Sequence, residues 1–183
     1  PGLDRIVNGQ RAIFFDGPGG SQVPRSVAEA VSEYLLHNNA NLGMSFATSK
    51  ESDQIVEDAL QAVADFLGTE NPMEVAFGQN MTSLNIQLAS ALSRTWGGED
   101  EVVVTRLDHD GNVRPWSLAA EWSGAKLRKV DINPDDCTLN MDSLNEVINE
   151  KTVLIAVGAA SNLCLLYTSP SPRDQRGSRM PSC

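Results

Sequence analysis

From residue 74 to residue 157 the chain alternates between short runs of β-branched residues and stretches whose apolar side chains recur at helical spacing, and few folds accept that order. Glu74 to Phe77 reads as a short strand, and Thr82 to Trp96 as a helix with Leu84, Leu88, Ala91 and Leu92 on one face. Glu101 to Thr105 is a strand built around Val102, Val103 and Val104. A helix over Val113 to Ser123, opened by Pro115, leads to a strand over Lys126 to Ile132. A helix over Met141 to Asn149, with Leu144, Val147 and Ile148 inward, precedes the most apolar strand, Thr152 to Val157. Strands separated by helices imply crossover connections, hence an α/β fold with a mostly parallel sheet and flanking helices. Ligands of such sheets sit beyond the carboxyl ends of the strands. The loops after Phe77, Thr105 and Val157 are therefore where chemistry is expected, all at one end of one sheet.

Ahead of this region, Ala12 to Phe15 reads as a strand or extended entry, ended by the turn Asp16-Gly17-Pro18-Gly19-Gly20. A dinucleotide-binding glycine loop would need glycine where Gln22 stands, so that reading is rejected. Pro24 suits the first turn of a helix carrying Val27, Val31, Tyr34 and Leu35, and residues 37–41 read as a loop. Ser49 is placed to cap a second helix, with Ile55, Val56, Ala59, Leu60, Val63 and Leu67 as its stripe and Gly68 as its stop. This divides the chain into an N-terminal segment, 1–48, and a larger body, 49–163.

The composition changes near residue 164. The segment CLLYTSPSPRDQRGSRMPSC holds three prolines and three arginines against one acid, Asp174, and shows no periodicity. One reading is a disordered tail. The sharper one is a translated adaptor: Cys164 to Asp174 matches, without a gap, the translation of a transposon-type sequencing-library adaptor, and Ser178 to Ser182 falls where its second segment belongs. On that reading 164–183 is non-native and is excluded from fold reasoning. The net charge of -10 argues against nucleic acid, whose phosphates demand a basic face, and no apolar run is long enough to span a bilayer. Three widely spaced cysteines form no disulfide framework or metal pattern, which points to a reducing, cytoplasmic setting.

Three strand-end segments carry candidate chemistry. Gly78 to Ser83 lies where a helix begins, and free amides with a positive dipole end suit a phosphate there; Asn80 or Thr82 equally suits a simple N-cap. Arg106 to Asn112 follows the valine-rich strand, and a neutral His109 imidazole there can stack on a flat ring or simply be solvated. Gly158-Ala159-Ala160-Ser161-Asn162 offers small residues for close approach and an amide donor in Asn162, or an ordinary turn. His37, in a polar loop, is assigned no role.

Together these segments resemble one family. Residues 15–24, 37–41, 77–84, 105–116 and 158–162 are similar, in order and spacing, to the cysteine desulfurase-like branch of the class V aminotransferases. The resemblance covers nearly all of 1–163. It implies part of the large domain of fold type I, with pyridoxal phosphate held through a lysine at a homodimer interface. It implies that the Asn80-Met81-Thr82 turn holds the cofactor phosphate, that His109 stacks on the pyridine ring, and that Asn162 bonds near its phenolic oxygen. Asn80 and Met81 stand where better-known desulfurases carry two adjacent threonines. The lysine and the carboxylate for the ring nitrogen are expected downstream of Val157, so the chain reads as an inactive N-terminal fragment. Lys50, Lys126, Lys129 and Lys151 sit in the wrong segments for the lysine, and Cys137 reads as structural. The implied substrate is a small amino acid. The remaining readings are another class V aminotransferase or lyase, a small acidic binding module, and a nucleotide-binding α/β domain.

Overall fold

In a computed structural model, residues 2–15 and 19–161 are described. They fall into two compact units divided between Phe77 and Gly78.

The first unit opens with a hairpin, β1 (Ile6–Val7) and β2 (Gln10–Arg11), paired antiparallel with Ile6 opposite Arg11. Its two-residue turn is Asn8-Gly9, with φ of 51° and 78°. Both central residues need φ > 0 in this turn type, and Asn-Gly meets that at least cost. Arg11 ties the hairpin down by an ion pair with Asp4 at 2.9 Å. Of the two readings open for Ala12 to Phe15, the strand does not form: beyond the bond from Ala12 N–H to Arg5 O at 2.8 Å the segment joins no ladder among the described residues, and Phe15 is 91% exposed. Helix α1 (Arg25–Glu33) has Pro24 at its N-cap rather than inside its first turn. It runs on into a five-residue π-helix, Tyr34–Asn38, so the expected loop at 37–41 begins as helix.

Helix α2 (Ala47–Leu67) starts two residues before Ser49, which is buried inside it. Ser49 therefore does not cap the helix; its Oγ accepts from the Met44 N–H at 2.8 Å. Asp53 accepts from the Gly43 N–H at 3.0 Å, and the buried Ser52 Oγ donates to Asn38 O at 2.9 Å and meets Tyr34 Oη at 3.1 Å. These bonds run backwards along the chain, which is why α2 groups with the N-terminal residues instead of beginning the next unit at residue 49. Gly68 ends α2 in the left-handed region, with Thr69 N–H bonded to Ala64 O at 3.0 Å, a Schellman cap. The expected strand at 74–77 is absent. Asn71 accepts from Met73 N–H and starts a 3₁₀ turn over Pro72–Glu74, and no ladder follows among the described residues.

The second unit is a three-layer α/β unit. Its sheet has the order β4-β3-β5, all parallel, from β3 (Glu101–Thr105), β4 (Lys126–Val130) and β5 (Thr152–Ala156). The central strand β3 is buried along its whole length, as a run of three valines demands. Helices α3 (Met81–Leu92) and α4 (Arg114–Ser123) pack with one face, where Ala89, Val102, Val104, Trp116, Ala119, Ala120 and Ala156 form the core. Alanines at 89, 119 and 120 let these helices lie close to the strands. On the other face Val103, Val130 and Leu139 pack with Leu144 and Val147 of α5 (Met141–Val147). Helix α5 stops two residues before the expected Asn149, because Ile148 turns to an extended conformation. β4 ends at Val130; Ile132 makes only an isolated bridge with Leu139 around the turn that carries Cys137.

The amino end of the sheet is closed by a polar clamp. Glu101, 3% exposed, receives both Arg128 Nη2 at 2.9 Å and Nε at 3.0 Å, and Asn149 Nδ2 at 2.9 Å. The bonds from Arg128 and Asn149 hold its carboxyl well below the usual glutamate value, at about 2.

Candidate functional site

The carboxyl end of the same sheet gathers the expected loops. Asn80 is the N-cap of α3, with its Oδ1 accepting from Ser83 N–H at 2.9 Å, so one of the two roles open to it is in use. The N–H groups of Met81 and Thr82, the next two residues, have no acceptor among the described residues. With the dipole of a 12-residue helix behind them, they form a donor pair suited to an anion.

After β3 the chain turns sharply. Thr105 Oγ1 donates to the Asp108 carboxylate and accepts from the Leu107 and Asp108 N–H groups at 3.2 and 3.1 Å. A 3₁₀ turn, Asp110–Asn112, follows, and His109 caps it: its Nδ1 accepts from Gly111 N–H at 2.9 Å. That bond uses Nδ1 as an acceptor, which leaves Nε2 as the ring's donor position on an exposed imidazole.

Gly111 is where the two segments meet. A side-chain carbon at this position would stand 2.7 Å from Thr82 Oγ1, 3.0 Å from His109 Nδ1 and 3.0 Å from Met81 Cε. Met81, Thr82 and His109 therefore surround one backbone position, although 26 residues lie between Thr82 and His109 in sequence. The loop after β5 adjoins them through Asp108, since a side-chain carbon on Gly158 would lie 2.5 Å from Asp108 Oδ1. Asn162 lies outside the described residues, as does 164–183. An adjoining cavity of about 250 Å³ is lined by Thr105, Arg106, Asp108, Asp110, Val113 and Lys129, with Arg106 held by an ion pair to Asp131.

Sequence reasoning placed Gly111 in the motif without giving it a task. Asp108 stood in the same motif equally without a task, and Asn85, whose side chain bonds to the His109 segment, was missed. The only sequence signal for Asn85 was a polar residue one helical turn after Met81, on the side that faces the next motif. No group of three or more His, Cys, Asp or Glu that could hold a metal ion occurs among the described residues, and no helix there is long and apolar enough to cross a membrane.

Comparison with known proteins bears on the family and the fold. The family described as Aminotransferase class-V matches residues 13–164. A probable cysteine desulfurase from Streptomyces coelicolor is 35% identical over 173 residues, covering 89% of this chain and 40% of its own length. A cysteine desulfurase from Cronobacter sakazakii is 32% identical over 169 residues, with the same coverage of 89% and 40%. Among solved structures, the apo cysteine desulfurase from Thermococcus onnurineus superposes with a TM-score of 0.73 at 28% identity, over 82% of this chain and 37% of that one. The chain thus spans about 40% of the length of the curated relatives it matches, and its second unit has the helices and parallel sheet of the fold type I large domain. On the matched residues, the order of the segments and the fold, the chain belongs to the class V aminotransferase family.

Proposed function

We propose that this chain supplies the phosphate-and-ring side of a pyridoxal-phosphate site in a cysteine desulfurase-like enzyme acting on a small amino acid. The observation that carries the reading is the convergence of Met81, Thr82 and His109 on Gly111. The residues present fit the cofactor. The free N–H pair at the start of α3, with the Thr82 hydroxyl beside it, suits a phosphate dianion. The exposed ring of His109, held by Gly111 N–H, suits a flat heteroaromatic partner. Asn162 is the proposed partner of the cofactor's phenolic oxygen.

When bound, pyridoxal phosphate supplies an electron sink for negative charge on the carbon next to the substrate's amino group. The chain's own residues bind and orient. Asn80 fixes the start of α3 so that two N–H groups stay free. His109 presents a ring face held in place through Nδ1. Lys126 and Lys151 stand at the amino ends of their strands, Lys151 paired with Glu99, away from the carboxyl-end loops. In this reading the lysine that holds the cofactor, the carboxylate for its ring nitrogen and a sulfur-accepting cysteine belong to a longer homodimeric, cytoplasmic protein. The cysteine desulfurases among its relatives favour cysteine as substrate over aminotransfer.

The test is to titrate the purified chain with pyridoxal phosphate, following absorbance, borohydride trapping and sulfide release from cysteine. Reversible binding that weakens in Thr82→Ala and His109→Ala, with no turnover, is expected. Absence of binding refutes the site. Stoichiometric trapping at one lysine with catalytic sulfide release refutes the assignment of the lysine to a longer protein.

A further inference from the structure

The half-buried carboxamide of Asn112 is engaged on both sides. Its Nδ2 donates to Asp108 Oδ1 at 3.0 Å. Its Oδ1 accepts from Trp116 Nε1 at 3.2 Å and from Asn85 Nδ2 at 3.3 Å. Asn85 Nδ2 also donates to Gly111 O at 2.9 Å. Asp108 accepts in turn from the Thr105 hydroxyl at the end of β3. One side chain thereby joins β3, the His109 turn, α3 and α4.

The position of Asn85 gives this network its consequence. Asn85 lies four residues after Met81 on α3, so the two share a helix face. That face meets Gly111 twice: Met81 and Thr82 fill the space a side-chain carbon there would need, and Asn85 bonds its carbonyl. Gly111 N–H is the donor that holds His109 Nδ1. The free N–H pair of α3 and the imidazole are therefore set against each other through one residue, which Asn112 anchors from behind.

We infer that Asn112 is a positioning residue that fixes the distance between the start of α3 and the His109 ring. The inference rests on the cofactor reading above for its effect on affinity, but not for its effect on His109. The site needs one side chain that donates to a carboxylate and accepts from two N–H groups, which asparagine does and leucine or aspartate does not. Aspartate at 112 would set two carboxylates about 3 Å apart, a like-charge contact relieved only if one of them takes up a proton.

The experiment uses the whole chain labelled with ¹⁵N-histidine, with His37→Asn to identify the other histidine. Without ligand, the wild-type His109 nitrogens should show a single tautomer with Nδ1 unprotonated. Asn112→Asp should give averaged tautomers and weaken pyridoxal-phosphate binding roughly tenfold, the worth of one charge-assisted bond. The reversed pair, Asp108→Asn with Asn112→Asp, restores a donor facing an acceptor and should recover the single tautomer and most of the affinity. Asn85→Ala, which keeps a good helix former, should shift both readouts in the same direction by less; it decides the question if Asn112→Asp does not fold. Wild-type His109 signals in Asn85→Ala and Asn112→Asp overturn the inference. So does a reversed pair that melts like wild type yet keeps averaged tautomers. If the wild-type chain binds no pyridoxal phosphate, the cofactor reading falls, and the tautomer readout still decides the role of Asn112.

Discussion

Replacing Gly111 with alanine tests the convergence at its narrowest point. The added carbon would lie 2.7 Å from Thr82 Oγ1 and 3.0 Å from both His109 Nδ1 and Met81 Cε. Relaxed contacts need about 3.5 Å or more, so Thr82 must withdraw by roughly 0.8 Å and the other two by about half an ångström. Overpacking of this kind costs about 1–3 kcal/mol. Gly111 is not among the glycines with positive φ, so alanine also stiffens the unfolded chain, which returns about 0.4–1 kcal/mol. At the midpoints of those ranges the net loss is about 1.3 kcal/mol, a fall in melting temperature of about 3–5 °C for a chain of this length. Gly97 is the control: a side-chain carbon added there would meet nothing within 4 Å, and Gly97→Ala should be neutral or slightly stabilising. Melting curves and pyridoxal-phosphate titrations of both variants are the assay. Gly111→Ala should lose affinity as well as stability, because the atoms it displaces belong to Thr82 and His109. A Gly111→Ala chain that melts and binds like Gly97→Ala would refute the convergence of the two segments.

Three further outcomes follow from the packing. Glu101 has a folded-state pKa of about 2 against an ordinary 4.5, so it stabilises the fold fully above pH 4.5 and loses that contribution as pH falls towards 2; acid titration of Glu101→Gln should show a shallower loss across that window, and an unchanged profile would count against the clamp. Trp116, 5% exposed at the centre of the core between α4 and the sheet, should cost about 3–5 kcal/mol when cut to alanine, read by urea denaturation, and a loss below about 1 kcal/mol would mean that this core is not packed as described. Val153 and Ile155 of β5 and Val157 just after it expose alternate apolar side chains, so Ile155→Lys should leave stability within about 0.5 kcal/mol while lowering aggregation measured by light scattering; a large destabilisation would show that this face is covered in the chain itself.

What the sequence determined by itself is the alternation of 101–157 and the places where chemistry collects. Val102 to Val104 could only be a strand buried on both faces, and helices between strands forced parallel pairing, so β3, α4, β4 and β5 stand within two residues of their expected bounds. The Asn8-Gly9 turn was also legible, as the strongest short-range hairpin signal, although the segment was not read that way. Two local readings failed for a common reason. Residues 74–77 have strand-like composition, but Pro72 and the Asn71 cap start a 3₁₀ turn, and a strand exists only if a partner is there to pair with it. Ser49 has the chemistry of an N-cap, but the bond from Met44 N–H draws it inside the helix. The meeting of Thr82 with His109 was settled by packing between elements distant in sequence. Periodicity reports which face of an element is buried; it carries no information on which side chain of α3 falls opposite which residue of the β3 loop. That is set by the close approach at Gly111, where the absence of a side chain, visible in the sequence as one glycine among 14, becomes a contact.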